Sequence, residues 1–104
     1  MHLNEYQVMA ATTAVYPKDQ GLFYTALALN EEAGEYAGKI AKWVRKGGEL
    51  NKEAAAQELG DTLWQVSQAA KELGYSLAEI AIMNLDKLAD RNARGVLVGV
   101  GDTR

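Results

Sequence analysis

Apolar residues recur every three or four positions along most of the chain, the periodicity of helices that bury one face. The series Leu22, Ala26, Leu29, Ala33, Ala37, Ile40 and Val44 predicts the longest helix, over roughly 22–46, and the Gly47-Gly48 pair ends it. A second series, Leu59, Leu63, Val66, Ala70 and Leu73, predicts a helix over roughly 52–73, with Asn51 as its cap and Gly74 suited to the left-handed position after it. Ser76 and Glu79 have the spacing of a capping box, and Tyr75 can staple against Ile80. They open a helix over roughly 77–94 that carries Leu77, Ile80, Ala81, Leu85 and Leu88. Ahead of these, Asn4 as cap, Gln7 at the capping-box position and Leu3 poised to staple Val8 predict a helix over roughly 5–14. Pro17 and Gly21 bracket a turn. The closing GVLVGVGDTR has no clear period and reads as a short extended segment or as disorder.

Four helices with short connections predict an all-α, four-helix bundle-like fold, and the 104 residues fit a single domain spanning 1–104. No internal repeat or interdomain linker interrupts them. So much apolar residue in so small a bundle also predicts association with further copies of the chain.

Composition narrows the chemistry. Without cysteine, disulfides, thiolate catalysis and Cys-type zinc sites are excluded, and the chain suits a reducing, cytoplasmic setting. His2 is the only histidine, so neither a histidine metal site nor the Glu-x-x-His motif of di-iron bundles is available. The first residues do not pattern as a signal peptide, and no apolar run reaches the roughly 20 residues of a membrane span. A net charge of −3 argues against a nucleic-acid-binding protein. Five acids, Glu31, Glu32, Glu35, Glu58 and Asp61, fall in two short clusters, and without them the remainder is slightly basic.

The clusters are EEAGE at positions 31 to 35 and ELGD at 58 to 61. At about 100° per residue, Glu31, Glu32 and Glu35 lie on one side of their helix, and Glu58 and Asp61 are neighbours on theirs. Each like-charge pair at such spacing costs roughly 0.2–0.5 kcal/mol even when exposed. A hard divalent cation, which prefers carboxylate oxygens, reverses that sign. Gly34 and Gly60, each inside an acidic motif, predict that the two helices approach closely there. The competing reading is a solvated acidic face.

Basic and aromatic residues flank the acids. Lys39, Lys42 and Lys46 continue the row of Glu31 and Glu35; they serve either as ion-pair partners or, for Lys39 and Lys42, as phosphate contacts. Asn84, Lys87, Arg91 and Arg94 share a face of the fourth helix that suits a polyphosphate, with Asp86 and Asp90 beside them as alternative partners. Trp43 and Trp64 read first as core or interface residues, and Trp64, three residues after Asp61, is the better candidate for stacking on a base.

EEAGE followed by ELGD resembles the EExxE…ExxD signature of the MazG-like nucleotide pyrophosphohydrolases. NLDKLADRNARG at 84 to 95 resembles that family's closing helix, and EYQVMAATTAVY its first. The resemblance implies an all-α MazG fold that oligomerises as a dimer or tetramer. It implies metal ligands at Glu32, Glu35, Glu58 and Asp61 and catalytic roles for Glu31 and Glu32. The ion would be Mg²⁺, with Mn²⁺ as the alternative. It further implies hydrolysis of (deoxy)nucleoside triphosphates to the monophosphate and pyrophosphate, with Lys39, Lys42, Trp64, Asn84, Lys87 and Arg91 as substrate-binding candidates. The activity would keep the nucleotide pool clean. Two alternatives stay open: a specialised substrate such as phosphoribosyl-ATP, and a non-catalytic helical interaction module.

Overall fold

The computed structural model describes residues 1–99 and 101. Among them the chain is all-α, with helices α1 (Leu3–Ala11), α2 (Gly21–Lys46), α3 (Lys52–Glu72) and α4 (Leu77–Ala93), and a single 3-10 turn at Lys18–Gln20. No strand forms among these residues, so the extended reading of the tail does not hold for its described part; Val100 and 102–104 lie outside it. No helix among the described residues is long and apolar enough to cross a membrane.

The longest elements, α2 and α3, fold back on each other as a helical hairpin. Its turn needs two glycines: Gly47 and Gly48 have φ of 74° and 82°, a region where a Cβ is strained. The Gly47 N–H donates to Trp43 O at 2.8 Å, and the Trp43 indole N–H donates to Gly48 O at 2.8 Å. Asn51 then caps α3 by accepting from the Ala54 N–H at 3.0 Å.

The pairing faces of the hairpin are not the apolar stripes of the sequence. On α2 the buried residues are Gly21, Thr25 and Ala28, displaced one position from the series Leu22, Ala26, Leu29. On α3 the residues buried by all neighbouring helices are Ala55, Gln65, Ser67, Gln68 and Ala70. Many large apolar residues are left uncovered: Leu22 is 51% exposed, Leu59 50% and Leu63 41%. The radius of gyration is 16.3 Å, against about 13 Å for a compact domain of this length. The accessible surface is 7626 Å², against about 5,700 Å² for a folded monomer of this mass.

The remaining helices are fastened by polar side chains. Asn4 and Gln7 do not cap α1, whose N-cap is His2. They reach the start of α4 instead. The Leu77 N–H donates to Gln7 Oε1 at 3.0 Å, and the Ala78 N–H donates to Asn4 Oδ1 at 2.9 Å. The capping box supplies the rest: Ser76 Oγ accepts from the Glu79 N–H, and Glu79 Oε1 accepts from the Ser76 N–H. The first three amides of α4 are thus all paired, two of them across the fold. Gln7 Nε2 also donates to Ser67 O and Tyr75 O, tying α1 to the α3–α4 turn. There Gly74, at φ 86°, allows the Tyr75 N–H to close on Ala70 O at 2.9 Å.

Helix α1 also ends earlier than its periodicity suggests, because the Thr12 and Thr13 hydroxyls donate to the Met9 and Ala10 carbonyls. Tyr16 stacks on Tyr24 and donates to Glu72, whose carboxylate lies over Gly21 at the start of α2, where a Cβ would meet it. That position suits an anion. Burial, then the Glu72 hydrogen bond and charge and the neighbouring Tyr24, push the Tyr16 phenol up to about 12.

Two buried glutamines therefore differ in kind. Gln7 satisfies three backbone groups, whereas Gln68 is fully buried with its Oε1 unpartnered. Gln7→Met should destabilise the fold by about 1–3 kcal/mol, the penalty for orphaned buried polar groups. Gln68→Met should be close to neutral. Urea unfolding of both variants beside the parent chain measures the contrast; equal losses would refute it.

Candidate functional site

Glu32 follows Ala28 by one turn on the pairing face of α2, and Glu58 follows Ala55 on that of α3. The hairpin therefore brings the two acidic motifs face to face. Glu32, Glu58 and Asp61 each offer a carboxylate oxygen, and these oxygens lie within 4.8 Å of one another. Glu32 and Glu58 are half-buried and Asp61 is exposed. Burial and the charges of Asp61, Glu31, Glu58 and Glu35 hold the Glu32 carboxyl above the usual glutamate range. Three hard oxygen donors that repel one another at this spacing fit a divalent cation such as Mg²⁺.

The other acids surround this trio. Glu35 is exposed one turn beyond Glu32 and raises the proton affinity of Glu32, but it is not among the converging oxygens. Glu31 is exposed and lines a separate cavity of about 230 Å³ with Tyr24, Leu27 and Ala28. The expected close approach at Gly34 and Gly60 does not occur within the chain. An added Cβ at either position meets nothing within 4 Å. The motifs meet through the side chains of the pairing face, and the glycines point away from it.

A cavity of about 300 Å³ adjoins the trio, lined by Thr13, Glu32, Asp61, Trp64 and Gln65. Trp64 closes one wall. Its indole N–H donates to Ala10 O at 3.1 Å and Thr13 Oγ1 at 3.0 Å, and Tyr16 meets the ring edge-on at 6.5 Å. The ring is thereby fixed at the mouth of the site. Tyr6 on α1 is close enough to Asp61 that, after burial, this charge raises its phenol.

The remaining candidates lie elsewhere. Lys39 and Lys42 line a cavity of about 210 Å³ at the hairpin turn with Trp43 and Lys46. Asn84 and Lys87 are exposed on α4, Arg91 is buried, and none of the three lines the cavity beside the trio. Helix α4 touches α1 and α3 but makes no contact with α2 among the described residues. Sequence reasoning passed over Thr13, Tyr6 and Gln65. The spacing of Gln65, one turn after Asp61, was the available signal; Tyr6 on α1 and Thr13 in the turn after it are distant along the chain and left none.

The MazG nucleotide pyrophosphohydrolase domain matches residues 20–96 of the chain. The chain is also 40% identical, over 114 aligned positions covering all of both proteins, to the Gene 37 protein of Mycobacterium phage L5. No solved structure matches it significantly.

Like-charge repulsion at the trio should make its members destabilising until a cation binds. Glu58→Gln should raise the melting temperature of the metal-free protein by about 1–4 °C, from a few tenths of a kcal/mol per relieved pair. The same change should abolish stabilisation by Mg²⁺. Because the proton affinity of Glu32 is raised in the folded chain, its ionisation weakens the metal-free fold as pH climbs through that shifted range. In turn, Mn²⁺ affinity should begin to fall at a higher pH than an ordinary glutamate dictates. Melting curves with and without Mg²⁺, and Mn²⁺ titrations across pH, measure these effects; a lower metal-free melting temperature for Glu58→Gln contradicts the reading.

Proposed function

The chain belongs to the MazG nucleotide pyrophosphohydrolase family, and on that premise we propose that it hydrolyses (deoxy)nucleoside triphosphates to the monophosphate and pyrophosphate with Mg²⁺. The observation that carries this reading is the convergence of Glu32, Glu58 and Asp61 within 4.8 Å beside a cavity walled by Trp64. A cation there supplies neutralising charge for a polyphosphate and for the charge that develops in phosphoryl transfer.

The chain's own residues carry the rest. Glu32, Glu58 and Asp61 hold the ion, with Glu35 adding negative potential beside them. Glu31, next to Glu32, orients the attacking water, and Glu32 shares that role. The water oxygen bonds to the α-phosphorus, the bond to the bridging oxygen breaks, and pyrophosphate leaves. The fixed indole of Trp64 offers a flat apolar surface to the nucleoside.

Asn84, Lys87 and Arg91 do not line the cavity beside the trio. We assign them to the substrate through a second copy of the chain. The uncovered apolar residues of α2, α3 and α4 support such a homo-oligomer, a dimer or a tetramer. We assign Lys39 and Lys42, one to two turns along α2 from Glu35, to the far end of the polyphosphate.

Assays of monophosphate and pyrophosphate release over a panel of nucleotides, with Mg²⁺ and after its removal by chelator, test the proposal. Glu32→Gln, Glu58→Gln and Asp61→Asn should each lower kcat by about 100-fold or more, the several kcal/mol a correctly held ion supplies. Glu35→Gln should lose activity less steeply. Full turnover in all three trio variants, or undiminished turnover in chelator, would end the assignment.

A further inference from the structure

Tyr16 lies in the connector between α1 and α2, outside both helices, yet it is tied to three side chains at once. Its ring stacks on Tyr24 of α2, with centroids 5.0 Å apart, and meets the Trp64 ring of α3 edge-on at 6.5 Å. Its hydroxyl donates to Glu72 Oε1 at 3.0 Å. Glu72 is held in its turn, because its carboxylate lies over Gly21 in the first turn of α2, where a helix favours negative charge. Connecting segments ordinarily carry fewer fixed contacts than this.

The Trp64 indole gains from that anchorage. Its N–H donates to Ala10 O and Thr13 Oγ1. With Cβ placed by α3 and Nε1 placed by these acceptors, the ring can still tilt about the line that joins the two atoms. Tyr16, set at 89° to the indole plane, opposes the tilt. A perpendicular aromatic pair carries an orientation preference beyond simple burial.

Trp64 lines the cavity beside the trio together with Glu32 and Asp61, whereas Tyr16, Tyr24 and Glu72 do not line it. Any influence of Tyr16 on a ligand there passes through the indole. We propose that Tyr16, anchored by Glu72 and Tyr24, is a positioning residue for nucleoside recognition. It sets the tilt of the Trp64 surface against which the sugar–base end of the substrate rests, and it leaves the phosphate end to the trio. This rests on the reading of the trio as the seat of a metal-bound nucleotide and of Trp64 as its apolar wall.

The test compares Tyr16→Leu, which removes ring and hydroxyl, with Tyr16→Phe, which removes only the anchor to Glu72. With Mg²⁺ and the nucleotide panel, Tyr16→Leu should raise KM about tenfold, or about 1.4 kcal/mol, and Tyr16→Phe about threefold, with kcat nearly unchanged. Inorganic tripolyphosphate, which has no nucleoside, should inhibit both variants with the wild-type inhibition constant. Mn²⁺ affinity without nucleotide should also be unchanged. A readout independent of turnover is the time-resolved anisotropy of Trp64 in a Trp43→Phe background, free of metal and nucleotide. Tyr16→Leu should add fast indole motion, and Tyr16→Phe should add less.

An unchanged nucleotide KM or an unchanged anisotropy in Tyr16→Leu overturns the proposal. So does a weakening of tripolyphosphate or Mn²⁺ binding that matches the rise in KM, which would make Tyr16 a structural residue only. If Tyr16→Leu does not fold, Tyr16→Phe decides on the same readouts. A wild-type chain that binds Mn²⁺ yet neither binds nor hydrolyses any nucleotide would instead overturn the functional reading, while the anisotropy would still show whether Tyr16 holds the indole.

Discussion

Three carboxylates held within 4.8 Å of one another on the pairing faces of two helices form an arrangement that opposes itself. Everything around it is consistent with having to hold that arrangement. The hairpin turn is stiffened by two left-handed glycines, the Trp43 hydrogen bond across them and the Asn51 cap. Gly21, Thr25 and Ala28 are buried on one helix and Ala55 on the other, all small residues. A pairing face of Leu and Ile would hold the helices further apart. The small residues and the carboxylates are therefore parts of one solution, and the large apolar residues are displaced to surfaces the single chain does not cover.

That displacement explains why the outer helices are attached as they are. With Ala10, Ala28, Ala55, Ala70 and Leu77 the only buried apolar residues among those described, little hydrophobic burial is left to dock α1 and α4. Polar staples take over. Asn4 and Gln7 satisfy amides of α4 that would otherwise be orphans, and Gln7 also holds the α3–α4 turn. Trp64 reaches back to Ala10 and Thr13 and fixes the end of α1 beside the trio. A site on the hairpin thus acquires a wall from the first helix of the chain.

The legible parts of the sequence were those with local causes. Gly47-Gly48, Asn51, Gly74 and the Ser76–Glu79 box act on neighbouring backbone, and each stands where the pattern put it. The facing of EEAGE and ELGD was legible because two motifs on consecutive helices joined by a tight turn must meet. The illegible parts were those where a residue acts far along the chain. Asn4 and Gln7 have the spacing of a local cap but spend their hydrogen bonds some seventy residues away. The glycines of the acidic motifs suggested close packing, yet they point outward. The apolar stripes mark buried faces, but periodicity alone does not say whose core a stripe belongs to.

The electrostatics of the site carry one more step. Glu31, Glu32, Glu35, Glu58 and Asp61 gather on one region, and a triphosphate adds further negative charge. Such a ligand is repelled unless cations outweigh the acids nearby. One divalent ion at the trio falls short of five carboxylates. The chain's candidate cations are Lys39 and Lys42 toward the hairpin turn and Lys87 and Arg91 on a helix that does not touch α2. Uncovered leucines on α2, α3 and α4 mark where another surface can dock. On the proposed reading of the chain as a homo-oligomer, the charge imbalance at the site and the apolar excess on the surface have a common resolution in a second copy that covers the leucines.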